Sequence, residues 1–283
     1  MNWAGALAGL KRRLSPLRWP IGVVPEMAAE AGRHGNISAR AASRAYPLRM
    51  VRYWMTREIM EDELSRLSEI KVGGAVVVEL GCSRGQVRRS VGELPGLMDW
   101  VGLDIEESAG LEAMASGITR FIGADFDSPF PLDDGLADMA VFIHVLEHLP
   151  RPGFTLGEIA RILKPGGLLI AGSPVAPWPI SSIKDLFLKR RLAAGGIPRR
   201  GHIQAFSPGR WRRLLKGAGL VPEFASGAFF LRRSGCLLED SPVWFRLNLA
   251  WGALFPSLGG ELYLTARKPI SETPSACPGK HVP

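Results

Sequence analysis

Apolar residues along this chain fall into short unbroken blocks, separated by stretches in which they recur every three or four positions. The block AVVVEL at 75–80 is a continuous β-branched run, the pattern of a strand covered on both faces. WVGLDI (100–105), ITRFIGAD (118–125), ADMAVFIHVL (137–146) and LLIAGSP (168–174) predict four more strands. Helical spacing fills the intervals. Residues 47–70 carry Met50, Trp54, Ile59, Leu64 and Leu67 with charges between them, and FTLGEIARIL (154–163) gathers Leu156, Ile159, Ile162 and Leu163 on one side. GQVRRSV (85–91) and SAGLEAMA (108–115) read as shorter helices. In SPGRWRRLLKGAGL (207–220), Ser207 is an N-cap, Pro208 takes the first helical position and Gly219 is a stop. A last strand pair is expected near 221–231 and at 260–267. Such alternation gives a mainly parallel sheet with helices on both faces, and ligands of such sheets bind at the carboxyl ends of the strands.

Composition narrows this picture. With 283 residues, 46% of them hydrophobic and 22% charged, the chain can bury a sizeable core. Residues 1–74 read as a basic helical extension and 75–268 as the sheet domain, with insertions at about 176–206 and 232–259. Residues 269–283 read as a flexible tail. Cys82, Cys236 and Cys277 form no CxxC pair, so neither a disulfide framework nor a zinc cluster is legible. No apolar run suggests a membrane span, and the opening MNWAGALAGLKRRL has its basic cluster after the apolar run, the reverse of a secretory signal. A cytoplasmic protein is expected. Charge is unevenly spread: residues 75–175 hold seven Lys/Arg against 14 Asp/Glu, and residues 176–233 hold 12 against two. The basic block can attract phosphates, acidic glycans, anionic lipid surfaces or nucleic acid.

Candidate chemistry sits at the strand ends. After the first strand, Gly81 and Gly85 allow backbone to approach a ligand where a β-carbon would collide. A pyrophosphate is a poor occupant, because Glu79, two residues before Gly81, would repel it and favours an ammonium instead. Asp104 ends the second strand and can accept both hydroxyls of a ribose. Asp125 ends the third and can accept from an exocyclic adenine amine. A cationic adenosine compound with a free amino group fits these acids, and S-adenosylmethionine has all three features. Each residue also has a plain structural use, the glycines in a tight strand–helix turn and the acids as strand-end caps. Asp133, Asp134 and Asp138 read as loop and turn residues rather than ligands.

The strings VVVELGCSRG, VGLDI, IGADFDSPFPLDDGLADMAVFIHVLEHL and EIARILKPGGLLIAGSP, in this order and spacing, resemble the class I S-adenosylmethionine-dependent methyltransferases over about residues 75–220. HVLEHLPRP followed by ILKPGG looks like the group that contains quinone-biosynthesis, glycan and small-molecule methylases. The resemblance implies a Rossmann-like α/β fold with a seven-stranded sheet. It places Glu79 near the methionine amino group, with Gly81, Ser83 and Gly85 in the cofactor loop. Asp104, with Ile105 beside it, would serve the ribose, Asp125 and Phe126 would border the adenine, and His144 would lie near the sulfonium. Glycine often stands in this family where Ser83 stands here.

The acceptor side is less specified. A base is needed where the nucleophile holds its proton, and His144, His148 and His202 are the candidates; His144 and His202 are the two assigned to catalysis. HVLEH puts His144, Glu147 and His148 at i, i+3 and i+4, a spacing able to hold a metal. Some ubiquinone O-methyltransferases bind metal through a related acidic cluster, but the phrase recurs in metal-free relatives and no metal is expected. Three amphipathic stretches carry tryptophan, leucine or phenylalanine beside basic residues: Trp3–Leu14, residues 180–191 and residues 244–258. Together they suit the surface of an anionic membrane, an acceptor lid or a subunit contact. The expected reaction is methyl transfer to a small-molecule, lipid-linked or glycan acceptor. A tRNA or rRNA methyltransferase using the basic block, and an inactive cofactor-binding scaffold, are the alternatives.

Overall fold

A computed structural model describes residues 11–18, 47–196, 201–230 and 241–270, with side chains of the first long helix from Val51 onward. That helix, α1 (Pro47–Ile70), precedes strand β1 (Ala75–Leu80). There follow α2 (Gln86–Val91), β2 (Leu97–Asp104), α3 (Gly110–Ala115), β3 (Arg120–Gly123), β4 (Ala137–Ile143), α4 (Pro152–Ile162) and β5 (Leu163–Pro174). After α5 (Ile180–Ala193) and α6 (Pro208–Gly217), β6 (Val221–Ala228) and β7 (Glu261–Arg267) flank α7 (Pro242–Leu254). The seven strands lie in the order β3-β2-β1-β4-β5-β7-β6. β1 to β5 run parallel, and β7 runs antiparallel between β5 and β6.

All six residues of β1 are buried, as an unbroken β-branched run requires of a central strand. Two cores cover the sheet. On one face Val51, Met55, Ile59 and Leu64 of α1 pack with Val77, Trp100 and Met139, and Phe245 and Leu249 of α7 join the same cluster. On the other, Leu156 and Ile159 of α4 and Trp211 and Leu215 of α6 pack with Val78, Leu103 and Phe142. α1 therefore shares one core with the strands.

β5 begins earlier than its apolar block. Leu163 pairs with Ala137 and Leu168 with Met139, so Lys164–Gly167 form a bulge that the KPGG turn chemistry absorbs without ending the strand. Asp138 is not a loop residue either. It is buried in β4, where one carboxylate oxygen accepts from Lys71 Nζ (2.8 Å), Lys164 Nζ (2.8 Å) and Val76 N (2.9 Å). Burial pushes its pKa up, but these contacts hold it below the ordinary carboxylate range.

α7 lies close on β6 because both are glycine at the crossing: a β-carbon on Gly252 would stand 2.3 Å from the Gly227 carbonyl carbon. Its buried side carries Phe245, Asn248, Leu249 and Ala253. The stripe of Trp244, Leu247, Trp251, Leu254 and Leu258 read from the sequence faces outward, although Trp251 packs at a tilt against both Phe230 and Phe255. Residues 1–10 of the opening stretch and residues 271–283 of the tail lie outside the described residues. No helix among the described residues is long and apolar enough to cross a membrane.

Candidate active site

The carboxyl end of β1 turns sharply at Gly81 (φ 75°) and Ser83 (φ 45°) and enters α2 through Gly85 (φ 74°). The glycines are required by the chain itself. A β-carbon at 81 would stand 2.3 Å from a Val145 methyl, and one at 85 would stand 1.9 Å from Ser116 Oγ. Ser83 adopts a left-handed backbone that suits glycine better, so its side chain is tolerated at some conformational cost. Asp104 braces the turn: Oδ2 accepts from Ser83 N (2.7 Å) and Oδ1 from Glu106 N (3.0 Å).

Glu79 is buried in β1. Its Oε2 accepts from Trp100 Nε1 (2.9 Å), while Oε1 has no hydrogen-bond partner among the described residues. Burial pushes its pKa up to about 8, and Asp104 adds to this against the opposing effects of Trp100 and Arg88. Burial also pushes the Cys82 thiol well up, with Glu79 and Asp104 adding to it, so this cysteine is no nucleophile. Ile105 is exposed beside Asp104. Asp125 is exposed, with Oδ1 accepting from Asp127 N (2.9 Å), whereas Phe126 turns into the core edge-on to Phe130 at 5.7 Å between ring centres. Loop, Glu79, Asp104 and Asp125 thus come together along neighbouring strand ends. They offer one unpartnered buried carboxylate oxygen and two further carboxylates.

A second polar cluster occupies the end of β4, one strand over. The chain passes through a left-handed residue at His144 (φ 57°) before a single 3-10 turn at Leu146–His148. That turn breaks the i, i+3, i+4 face expected of HVLEH. His144 Nδ1 lies 3.5 Å from Glu147 Oε1, and its Nε2 lies 3.6 Å from Glu261 Oε2 at the start of β7. Ile203 N (2.9 Å) and Gln204 N (3.3 Å) donate to the Glu147 carbonyl, which stitches the His202 segment onto this turn. His202 Nε2 then lies 3.9 Å from Glu147 Oε1, and its ring meets His148 at 4.8 Å. The residues whose ligand atoms converge, within 4.8 Å of one another, are Glu147, His148 and His202 rather than the expected trio.

Sequence reasoning missed the far wall. Arg52 of α1 approaches Glu261 at 3.7 Å, and Tyr263 Oη donates to Glu261. Burial lowers the Arg52 pKa, but Glu261, the two neighbouring tyrosines and Glu147 hold it above its ordinary value. In this cluster His144 Nε2, both Glu147 carboxylate oxygens and Arg52 Nε are buried without a hydrogen-bond partner among the described residues. Burial pushes the Glu147 pKa up, yet His144 beside it holds it below the ordinary range, so it is ionised at neutral pH. His202 is pushed down to about 4, chiefly by burial and against the pull of Glu147, so it is neutral there. A buried polar group left unpaired costs about 1–3 kcal/mol. Four such atoms lie in this one cluster, an unusual concentration of unmet polar groups among buried side chains.

The family model described as a methyltransferase domain matches residues 51–223. A ubiquinone biosynthesis O-methyltransferase of Xanthomonas euvesicatoria pv. vesicatoria is 24% identical over 169 residues, covering 58% of this chain and 70% of its own. Sterol 24-C-methyltransferase ERG6B of Gibberella zeae is 32% identical over 120 residues, covering 40% of this chain and 30% of its own. Among solved structures, a proposed sarcosine dimethylglycine methyltransferase of Galdieria sulphuraria superposes with a TM-score of 0.52 at 20% identity, over 76% of this chain and 85% of that one.

Proposed function

We propose, for a chain that belongs to the methyltransferase-domain family, that methyl groups pass from S-adenosylmethionine to a hydroxyl of a small-molecule, lipid-linked or glycan acceptor, with His144 taking the proton. When bound, the cofactor supplies a methyl group made electrophilic by its sulfonium. The residues present fit it. Glu79 Oε1 is a buried acceptor without a partner, suited to an ammonium, and Asp104 offers a carboxylate to ribose hydroxyls. Asp125 and the exposed face of Ile105 would border the adenine, and Gly81, Ser83 and Gly85 shape the loop.

The observation that carries the hydroxyl reading is the buried, unpartnered pair of His144 Nε2 and the Glu147 carboxylate. Nucleophiles with no proton to lose need no such base, whereas a hydroxyl does. Glu147 and Glu261 stand on opposite edges of the imidazole, at 3.5 and 3.6 Å from its two nitrogens. His202 has too little proton affinity to be the better base, and its role is a neutral contact to the acceptor. The name of the Xanthomonas relative specifies oxygen as its methylated atom, which supports the same choice.

Exposed Trp178, Ile183 and Phe187, among Lys184, Lys189, Arg190 and Arg191, support attachment of α5 to an anionic membrane surface, as does the outward stripe of α7. Transfer of labelled methyl into fractionated cell extract tests the acceptor class directly, with lipid, glycan, small-molecule, nucleic-acid and protein fractions counted separately.

A further inference from the structure

Between α5 and the start of α6 lies a cavity of about 610 Å³, lined by Trp178, Ser181, Lys189, Ser207, Gly209 and Arg213 together with other residues of the two helices. Two of its polar groups are committed to the fold. Asp185 accepts from Ala205 N (2.9 Å) and pairs with Arg210 at 3.3 Å, and Arg210 donates to the Ala205 carbonyl (2.8 Å) and lies over the Phe206 ring. Lys189 shares Asp185, at 2.9 Å, and is otherwise solvent-facing.

Others are not committed. Ser181 is only 3% exposed, and its hydroxyl has no hydrogen-bond partner among the described residues. Arg213 has neither an ion pair nor a hydrogen bond among them. Its Nη1 stands 4.0 Å from where a β-carbon on Gly209 would be, over the first turn of α6. Ser207 caps that turn by accepting from Arg210 N, and the Ser207 carbonyl takes Trp211 N, which leaves the Gly209 N–H. A guanidinium and the positive end of a helix therefore line the same space, with the Ser181 hydroxyl and the Asp185-paired Lys189 also at its lining. An anion between the guanidinium and the helix end would be stabilised by both.

We propose that this cavity binds the phosphate group of a phosphate ester, and that the acceptor carries it. The inference rests on the reading above that His202 contacts the acceptor: His202 lies in the segment leading into α6, and Phe206 of that segment bridges to Val175, just past β5. The cavity is larger than a phosphate, so it also admits part of the group to which the phosphate is attached. Exposed Trp178 stands at its lining. The ester is either a soluble metabolite or a lipid headgroup, and the chemistry recognised is the same.

The test uses the full chain loaded with S-adenosylhomocysteine. Calorimetric titration with inorganic phosphate should show saturable binding that chloride does not displace. Arg213→Ala and Lys189→Ala should each weaken it, by about tenfold for Arg213, and Ser181→Ala should weaken it less, with S-adenosylhomocysteine affinity unchanged in all three. Glycerol 3-phosphate and phosphatidylglycerol vesicles, against phosphatidylcholine vesicles, then separate the sources. Preference for the first marks a soluble ester and for the second a headgroup. Absence of saturable phosphate binding to the wild type, or affinity unaltered in both charge variants, overturns the proposal. In either case intact S-adenosylhomocysteine binding and intact methyl transfer to a hydroxyl would leave the methyltransferase reading standing.

Discussion

Asp104 braces the loop and is proposed to hold the ribose as well, and substituting it separates the two roles. One oxygen holds Ser83 N and the other Glu106 N, so the side chain braces the loop before any ligand arrives. Ribose hydroxyls would add charge-assisted hydrogen bonds worth roughly 1.5–3 kcal/mol to a carboxylate. Asp104→Asn keeps one oxygen able to accept from Ser83 but removes the charge. Its S-adenosylhomocysteine affinity should therefore fall roughly 10- to 150-fold, since about 1.4 kcal/mol is a factor of ten. Asp104→Ala also releases Ser83 from its left-handed turn and should fall further, with a lowered melting temperature. Calorimetry for affinity and thermal melting by circular dichroism for the fold distinguish the two losses. Wild-type affinity in Asp104→Asn, with the Ala variant merely less stable, would make Asp104 a brace alone and refute the ribose assignment.

Three other outcomes are expected. The Glu79 pKa is raised from 4.5 to about 8 on folding. The stability linked to its proton is therefore complete below about pH 4.5, is lost as pH rises towards 8, and is constant above that. Denaturant titrations should show this decline in wild type and a flatter profile in Glu79→Gln. Gly85→Ala, which places a β-carbon 1.9 Å from Ser116 Oγ at φ 74°, should cost about 1–3 kcal/mol of stability, read from its denaturation midpoint. Sedimentation with phosphatidylglycerol vesicles should carry down wild type at low salt and not at high salt, and Phe187→Ser together with Arg190→Ser should reduce the pelleted fraction. Equal pelleting of the variant would remove α5 from the contact.

The strand and glycine turn of the candidate cofactor loop were legible because they lie in local sequence. An acid inside the buried run AVVVEL, followed by two glycines, stands out within ten residues, and β1 has the bounds its apolar block gives. The partners that make the glycines necessary, Val145 and Ser116, are distant in sequence and leave no local trace. The polar cluster at the end of β4 was only half visible for the same reason. Periodicity drew His144, Glu147 and His148 onto one helical face, but a left-handed residue at His144 turns its ring towards Glu261, 117 positions away in a strand that pairs antiparallel to β5. A usable signal did exist. Glu261 is an acid at the start of the apolar strand ELYLTAR, the same anomaly that singled out Glu79. Arg52 carried no such mark, because an arginine in a charged amphipathic helix reads as solvated until the packing of α1 is known.

Transfer of labelled methyl from S-adenosylmethionine into fractionated extract, by wild type and by His144→Asn, tests the proposed chemistry most directly. Asparagine suits the left-handed backbone at this position, so the substitution removes the imidazole while keeping the turn. Label is expected in a methyl ether of a lipid, glycan or small-molecule fraction. The rate should fall roughly 10²- to 10⁴-fold in the variant while S-adenosylhomocysteine affinity holds. Label on nitrogen or in nucleic acid, or an undiminished rate in His144→Asn, would contradict it.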